Sequence, residues 1–226
     1  MAFDANRVQA LLFDIDGTLS DSDDQWTARF QRLLKPIKRW LPGGDGLSTA
    51  RWLVMSLETP GNFSLMLLDR LGLDGPVSRL LNRMARRSGE WKPKHFLAIP
   101  GVVEMLPRLA ERYPLGVVSA RGEKSSLAFL EQFDLRRHFQ VVGTAHTCRY
   151  TKPFPDPVLH AAQALGVDVE NCVMIGDTTV DLHAGRSAGA QTIGVLCGFG
   201  RRKELLRAGA DLILETTAGV EAILAG

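Results

Sequence analysis

Six short runs of apolar residues recur along the chain, and most of them are separated by segments whose apolar residues have helical spacing. The runs are Val8–Ile15, Leu115–Ser119, Gln140–Val142, Cys172–Ile175, Gln191–Leu196 and Asp211–Leu214. Continuous apolar runs of this length are typical of strands that are buried on both faces, and their alternation with helices is typical of parallel sheets. The sequence therefore predicts an α/β fold with a parallel sheet covered by helices.

The alternation is interrupted once, between the first two runs, by about 75 residues that carry only helical signals. A crossover between parallel strands needs far fewer residues, so this segment is an insertion. Within it, apolar residues recur at the three- and four-residue steps of an amphipathic helix, at Trp26, Phe30, Leu33, Ile37 and Trp40. We expect a small α-helical cap domain at residues 20–95, inserted into a core domain of residues 1–19 and 96–226.

The charge of the insert differs from that of the rest of the chain. Residues 20–95 contain 13 Lys+Arg against 8 Asp+Glu, whereas the remaining residues contain 14 against 17. A basic lid, hinged near Leu19–Ser22 and Lys92–Pro100, would attract anionic substrates and exclude water when it closes. The alternative is that these cations are solvated on helix faces. The net charge of the whole chain, +2, argues against nucleic acid as a partner.

The chain lacks the signals of membrane insertion, secretion and structural metal binding. No apolar run approaches the roughly 18 residues of a membrane span, and the first residues are charged rather than apolar. The three cysteines, Cys148, Cys172 and Cys197, have no CxxC spacing, which favours reduced thiols over a disulfide framework or a zinc site. We expect a cytoplasmic protein without a membrane partner.

Aspartates follow two of the predicted strands, at the point where each strand ends. Asp14 and Asp16 come at the end of the first run, and Asp177 and Asp181 follow the fourth. The carboxyl ends of parallel strands meet at one edge of the sheet, where α/β folds bind ligands. Four carboxylates crowded there would repel one another unless a cation neutralised them, and oxygen ligands with room for water suit Mg²⁺ better than Zn²⁺. A single such turn would more often hold capping aspartates, so the presence of both carries the prediction.

Two further polar side chains are predicted at the same edge of the sheet. Ser119 ends the second run, and Lys152 precedes Pro153 at the start of a predicted helix. A single Ser or Lys in such a position is usually a helix cap or a solvated charge. Their order along the chain, between the two aspartate motifs, makes them candidate catalytic residues.

This succession resembles the four-part signature of haloacid dehalogenase superfamily phosphatases. Its parts are Asp14-Ile15-Asp16-Gly17-Thr18, a strand ending in Ser119, Lys152-Pro153, and Gly176-Asp177 through Asp181. The closing segment, Gly198-Phe199-Gly200 followed by Ala208-Gly209-Ala210-Asp211, resembles the phosphoglycolate-phosphatase-like branch, and the insert lies where that branch carries its cap. The resemblance covers nearly the whole chain. It implies a Rossmann-like core with a helical cap, and a magnesium-dependent phosphatase that acts on a small phosphorylated metabolite.

The resemblance also implies a role for each candidate catalytic residue. Asp14 would attack phosphorus and form an aspartyl-phosphate, and Asp16 would protonate the leaving oxygen and later activate water. Ser119 would hydrogen-bond a phosphoryl oxygen, and Lys152 would balance the charge of the nucleophile. The implied magnesium ligands are Asp14, the backbone carbonyl of Asp16, Asp177 and, directly or through water, Asp181.

The phosphate-binding residues that the resemblance implies include one departure from the family pattern. Gly17 and Thr18 follow the nucleophile motif, whereas Ala120 and Arg121 follow Ser119, where many relatives have an asparagine. This departure removes an amide donor, which puts the details of substrate binding in doubt but not the class of reaction. Arg121 either faces the substrate or is solvated at the start of a helix.

Three other functions are compatible with parts of this pattern. A dehalogenase is disfavoured because its chemistry has no use for an acid at Asp16. A phosphomutase would use the same residues and pass the phosphoryl group to a second sugar hydroxyl instead of water. A catalytically silent ligand-binding module could retain the fold, although the presence of Asp14, Asp16 and Asp177 argues against it. The sequence leaves the identity of the metabolite and the oligomeric state open.

Overall fold

The computed structural model describes residues 3–21 and 95–225. Apart from His95, these residues belong to one of two units of the chain, the unit formed by Met1–Asp23 and Phe96–Gly226. The residues of the expected helical cap lie almost wholly outside the described residues. The cap, its function as a basic lid and the limits of the two domains therefore stay predictions.

The described residues form a sheet of six strands, all of them parallel to their neighbours. The strands are β1 (Ala10–Phe13), β2 (Leu115–Val118), β3 (Val141–Gly143), β4 (Cys172–Gly176), β5 (Gln191–Val195) and β6 (Leu212–Leu214). Their order across the sheet is β3-β2-β1-β4-β5-β6, as in doubly wound Rossmann-like folds. The predicted α/β fold with a parallel sheet is confirmed, and each strand falls on one of the six predicted runs.

Helices connect the strands in the described part of the chain. The α-helices are α1 (Val102–Ala110), α2 (Glu123–Gln132), α3 (Asp156–Leu165), α4 (Thr179–Ala188), α5 (Arg202–Ala208) and α6 (Val220–Leu224). The helix α3 begins at Asp156, which agrees with the helix predicted after Lys152. The proline at position 157 lies in its first turn, where the missing N–H removes no helical hydrogen bond. None of these helices has the length and apolar character that a membrane crossing requires.

Alternate residues of the strands face two separate cores. Leu11 and Phe13 of β1 pack with residues of α1, α2 and α6 on one face of the sheet. Ala10 and Leu12 pack with residues of α3 and α4 on the other face. Because all four residues are fully buried, β1 is a continuous apolar run instead of an alternation of apolar and polar residues.

The strands β1 and β4 lie side by side in the middle of the sheet, with their carboxyl ends level. Phe13 at the end of β1 pairs with Ile175 of β4 and, on its other side, with Val117 of β2. The helix α1, the first described helix after β1, packs on one face of the sheet, and α4, which follows β4, packs on the opposite face. Connections that diverge in this way leave a crevice at the strand ends, which is the usual ligand site of such sheets.

The chain leaves and re-enters this unit through two neighbouring segments. The Asp21 N–H donates to the Leu97 carbonyl at 2.9 Å, and the Ile99 N–H donates to the Leu19 carbonyl at 2.9 Å. The described parts of the two expected hinge regions are therefore hydrogen-bonded to each other.

Candidate active site

The segment that follows β1 folds into a tight turn that presents Asp14. The Asp14 N–H donates to the Ile175 carbonyl of β4 at 3.0 Å, which continues the pairing of the two strands. The Ile15 carbonyl then accepts hydrogen bonds from the N–H groups that follow it, the shortest being from Ser20 at 2.7 Å. Gly17 in this turn has a φ of 73°, a left-handed conformation that glycine adopts without steric penalty. The turn holds Asp14, which is 6% exposed, at the carboxyl edge of the sheet.

Lys152 lies between two buried aspartates. Its Nζ is 2.7 Å from Asp14 Oδ1 and 2.5 Å from Asp181 Oδ1, and each of the three side chains is 8% exposed or less. Lys152 precedes α3, and Asp181 lies in the first turn of α4. The packing of these two helices against each other thus brings the lysine and its partners together.

Burial and the neighbouring charges shift the pKa values in this cluster. Burial raises the pKa of Asp14 to about 7, because lost solvation and the nearby carboxylates of Asp181 and Asp16 outweigh the attraction of Lys152. Burial alone would lower the pKa of Lys152, but its ion pairs with Asp14 and Asp181 outweigh burial and raise it above its ordinary value. Lys152 is therefore a permanent cation, whereas the free acid of Asp14 is readily populated near neutral pH.

Asp181 supports this cluster and also closes the first turn of α4. Its Oδ2 accepts hydrogen bonds from the Thr178 N–H at 3.0 Å and the Thr178 hydroxyl at 2.7 Å. Its Oδ1 accepts a hydrogen bond from Lys152. Both carboxylate oxygens of Asp181 therefore have hydrogen-bond partners within the protein.

Asp177, which follows β4, is fully buried in a close-fitting cradle. Its Oδ2 accepts a hydrogen bond from the Phe199 N–H at 2.8 Å, and its Oδ1 accepts one from the Thr18 hydroxyl at 3.3 Å. A Cβ atom added at Gly198 would lie 2.1 Å from Asp177 Oδ2, and one added at Gly17 would lie 2.3 Å from the same oxygen. Two glycines from different loops therefore leave just enough room for this carboxylate.

A methyl group at position 198 is expected to displace Asp177. In Gly198→Ala the new Cβ would lie 2.1 Å from Asp177 Oδ2 and 2.6 Å from the Gly17 carbonyl oxygen, inside van der Waals contact. We expect the free energy of unfolding to fall by about 1–3 kcal/mol through overpacking, and magnesium binding to weaken. Thermal unfolding and calorimetric titration with MgCl₂ measure the two effects. The matched control is Gly219→Ala, whose new Cβ would be 3.6 Å from its nearest neighbour; equal behaviour of the two variants would contradict the cradle.

Three carboxylates of this site could share a cation. One oxygen from each of Asp14, Asp177 and Asp181 lies within 4.8 Å of the others, and all three residues are buried. When all three are ionised, these carboxylates and the single ammonium of Lys152 leave two negative charges, which a divalent cation would neutralise. Carboxylate oxygens are the ligands that Mg²⁺ prefers. The residues present therefore fit a magnesium ion.

Arg121 connects the other two predicted catalytic residues, Ser119 and Asp16. The Ser119 hydroxyl, just beyond β2, accepts a hydrogen bond from the Arg121 N–H at 3.2 Å. The Arg121 guanidinium forms a two-pronged ion pair with the Asp16 carboxylate, in which Nε is 3.1 Å from Oδ2 and Nη2 contacts Oδ1. The Arg121 side chain is 12% exposed, so it is not a solvated charge at a helix start. The guanidinium is directed to Asp16, and its predicted contact with the substrate stays a prediction.

The structure places the remaining predicted site residues in different environments. Asp14, Lys152, Asp177 and Asp181 share one cluster. The Thr18 side chain is fully buried and directed to Asp177, whereas Ala120 is exposed. The Thr18 hydroxyl therefore supports a carboxylate, and its predicted contact with phosphate, like those of Gly17 and Ala120, stays a prediction.

Two groups that shape the site were not predicted from the sequence. One is the Phe199 N–H that binds Asp177, and the other is the buried Thr217 hydroxyl, which donates to the Thr18 carbonyl at 2.6 Å. A backbone donor has no side-chain signature, although the flanking Gly198 and Gly200 are a signal from which a close approach of main chains could have been inferred. Nothing near Thr217 in the sequence indicated its contact.

Comparison with protein families gives one match over most of the chain. Residues 58–195 match the family model described as haloacid dehalogenase-like hydrolase. The matched range is more than half of the 226 residues, and it contains Ser119, Lys152, Asp177 and Asp181 but begins after Asp14 and Asp16.

Individual relatives extend the similarity to nearly the full length. The chain is 29% identical over 222 residues to a phosphoglycolate phosphatase from Chromobacterium violaceum, covering 94% of each chain. A hydrolase from Pseudomonas syringae has a similar structure, with a TM-score of 0.70, 26% identity and coverage of 96% of this chain and 98% of that one. A Thermotoga maritima protein provisionally assigned as a beta-phosphoglucomutase shares the fold, with a TM-score of 0.64 and 21% identity over 96% of this chain and 99% of that one.

Proposed function

Because the chain belongs to the haloacid dehalogenase-like hydrolase family, we propose that it is a magnesium-dependent phosphatase that hydrolyses a small phosphorylated metabolite. The observation that carries this proposal is the buried cluster in which Asp14 contacts Lys152 and lies within reach of the same cation as Asp177. Phosphoryl transfer needs chiefly positioning and neutralisation of charge, and this cluster supplies both. The curated relatives named phosphoglycolate phosphatase make phosphoglycolate the first metabolite to test.

Asp14 is the proposed nucleophile. An Asp14 carboxylate oxygen attacks phosphorus and forms an aspartyl-phosphate, and the alcohol leaves with the bridging oxygen. Lys152, held 2.7 Å from Asp14 and 2.5 Å from Asp181, keeps the nucleophile oriented and offsets the negative charge of the approaching phosphate. The Ser119 hydroxyl, at the end of the neighbouring strand, donates to a phosphoryl oxygen.

The residues proposed to hold magnesium are Asp14, the backbone carbonyl of Asp16 and Asp177, with Asp181 contributing through water. When bound, the ion neutralises charge on the phosphoryl oxygens and on the carboxylates. The Phe199 N–H and the Thr18 hydroxyl hold the Asp177 carboxylate in one orientation, so that it need not reorganise when the ion binds.

Asp16 is the proposed general acid and base. Its carboxyl group donates a proton to the leaving oxygen in the first step and removes one from the attacking water in the second. General acid-base assistance of this kind contributes about 10²–10⁴-fold. In the structure this carboxylate is paired with Arg121, so it has to exchange partners before it acts.

Magnesium affinity is expected to depend on pH through Asp14. In the metal-free protein the pKa of Asp14 is raised to about 7, and magnesium competes with the proton for the carboxylate. Below that pKa we expect the dissociation constant to rise about tenfold for each pH unit, and above about pH 8 to become constant. Calorimetric titrations with MgCl₂ between pH 5 and 9 measure this. The dependence should flatten in Asp14→Asn; an equally steep dependence in that variant would assign the titration to another group.

A screen of small phosphomonoesters with magnesium tests the proposed function. Release of inorganic phosphate, strictly dependent on Mg²⁺ and absent in Asp14→Asn, is the expected result. A phosphomutase would instead convert a sugar phosphate into its isomer without net phosphate release, an alternative kept open by the Thermotoga maritima fold relative. If the protein turned over no phosphomonoester, the alternative of a catalytically silent ligand-binding module would be favoured.

A further inference from the structure

Arg121 holds the Asp16 carboxylate with both of its oxygens engaged. Nε is 3.1 Å from Oδ2, and Nη2 donates to Oδ1. The guanidinium lies over two aromatic rings, with its central carbon 5.4 Å from the ring centroid of Phe96 and 6.0 Å from that of Phe129. In this arrangement the Asp16 carboxylate is turned to the arginine, and each of its oxygens accepts a hydrogen bond from the guanidinium.

The third guanidinium nitrogen of Arg121 has no acceptor within the part of the chain that the structure describes. Nη1 is buried, and no hydrogen-bond partner lies within reach of it among the described residues. A buried charged donor without an acceptor is unfavourable, so the guanidinium would gain from a second anion beside it. The aromatic platform is itself fixed, because the Phe96 N–H donates to Gln132 Oε1 at 2.9 Å and Gln132 Nε2 donates to the Phe96 carbonyl at 2.8 Å.

We propose that Arg121 binds a carboxylate on the leaving group of the substrate and thereby releases Asp16. This inference rests on the proposed function, since it requires Asp16 to meet the ester oxygen of a phosphomonoester. In the exchange, the N–H···O bonds from Nε and Nη2 to Asp16 break, and the substrate carboxylate accepts two N–H···O bonds, one of them from Nη1, which Asp16 leaves without an acceptor. The planar fork of arginine fits either carboxylate in the same bidentate way, and no covalent bond changes.

The distances define the class of substrate. Before the exchange, Asp16 lies one hydrogen bond from the guanidinium, so an ester oxygen within hydrogen-bond reach of the Asp16 position lies about two hydrogen bonds, roughly 6 Å, from the guanidinium. A carboxylate attached to the carbon that bears the ester oxygen projects towards the guanidinium across this gap. The substrates selected are thus phosphate esters of small 2-hydroxy acids, whereas a neutral ester leaves Arg121 paired with Asp16.

The experiment compares two esters of equal length, 2-phosphoglycolate and 2-hydroxyethyl phosphate, which differ in a carboxylate against a hydroxymethyl group. The measured quantity is the ratio of their kcat/KM values with Mg²⁺ in the wild-type protein, Arg121→Met and Arg121→Lys. We expect the wild type to favour the carboxylate, and Arg121→Met to lower the ratio by about 10–100-fold, the effect of losing hydrogen bonds to a charged group. Arg121→Lys keeps the charge without the fork and should give an intermediate ratio.

Arg108→Met is the matched control. Arg108 makes the same two-pronged contact with Glu221, at 2.6 and 2.7 Å, on the exposed surface, and its replacement should leave the ratio unchanged. A ratio in Arg121→Met equal to that of the wild type would overturn the proposal. This includes the case in which kcat/KM falls equally for both esters, which would mean that Arg121 only supports Asp16.

Calorimetric binding of the two esters to Asp14→Asn, with and without Arg121→Met, separates this inference from the proposed function. If the wild-type protein hydrolyses neither ester but Asp14→Asn prefers 2-phosphoglycolate through Arg121, the proposed phosphatase function fails and the recognition stands. If hydrolysis occurs but neither turnover nor binding depends on Arg121, the recognition alone fails. If there is neither turnover nor an Arg121-dependent preference, both fail.

Discussion

Replacing Asp14 with asparagine is expected to abolish turnover while leaving the fold intact. Asparagine has the shape of aspartate, but its amide cannot form the phosphoryl-enzyme bond. We expect kcat to fall by at least about 10³-fold, a conservative figure for the loss of a catalytic nucleophile. Phosphate release under saturating substrate and Mg²⁺ measures the effect, and intact-mass spectrometry should detect an added phosphoryl group on the wild-type protein but not on the variant.

The fold should tolerate this change because Asp14 is a buried charge that the folded state disfavours. Burial raises the pKa of Asp14 to about 7, so at higher pH the folded protein bears the cost of ionising it. We therefore expect the free energy of unfolding to change by less than about 1 kcal/mol. Asp134→Asn is the matched control, since Asp134 is exposed and has a φ of 56° that asparagine tolerates. Retention of high activity in Asp14→Asn would remove Asp14 as the nucleophile.

Replacing Lys152 with methionine is expected to be strongly destabilising. Lys152 is 3% exposed and is the shared partner of Asp14 and Asp181. Removing it leaves two buried carboxylates facing each other without their cation, and breaking a buried ion pair typically costs about 3–5 kcal/mol. For a chain of this size that corresponds to a fall in Tm of roughly 10 °C. Chemical and thermal unfolding measure the loss, and activity should be lost as well.

Two further measurements separate the loss of charge from a general disturbance of packing. Adding Asp181→Asn to Lys152→Met removes one of the two unpaired carboxylates and should restore part of the stability, which a double-mutant cycle quantifies. Millimolar MgCl₂ should also stabilise Lys152→Met, because the ion replaces the missing positive charge. Lys203→Met, at an exposed position of α5, is the control with the same side-chain change. A Lys152→Met protein as stable as this control would contradict the charge argument.

The order of elements could be predicted from the sequence because burial on both faces leaves a direct pattern. Each strand of the sheet falls within or overlaps a predicted apolar run. The exact end of a strand is not predicted in this way, as β1 shows. The apolar run continues through Ile15, but β1 ends at Phe13, since the Ile15 carbonyl is used to close the turn that follows. Apolar character alone does not distinguish a buried strand residue from a buried turn residue.

The structure brings several of the predicted site residues together through contacts that the sequence did not predict. The positions of Asp14 and Asp177 after two apolar runs predicted that they lie at one edge of the sheet, and in the structure one carboxylate oxygen of each lies within 4.8 Å of the other. The partners of Asp16 and of Asp177 could not be predicted in the same way. The sequence allows two alternatives for Arg121, because its contact with Asp16 spans 105 residues of sequence.

The sequence by itself determined the α/β class, the parallel sheet and the set of acidic and basic side chains at its carboxyl edge, because periodicity and strand ends are local properties of the chain. Only the tertiary structure decided which of these charged groups pair with each other. Lys152 is shared by Asp14 and Asp181. Asp16 is turned to Arg121, and the Phe199 N–H binds Asp177. The physical reason is that pairing energies depend on distance and desolvation, and both arise only when segments far apart in the sequence are packed together.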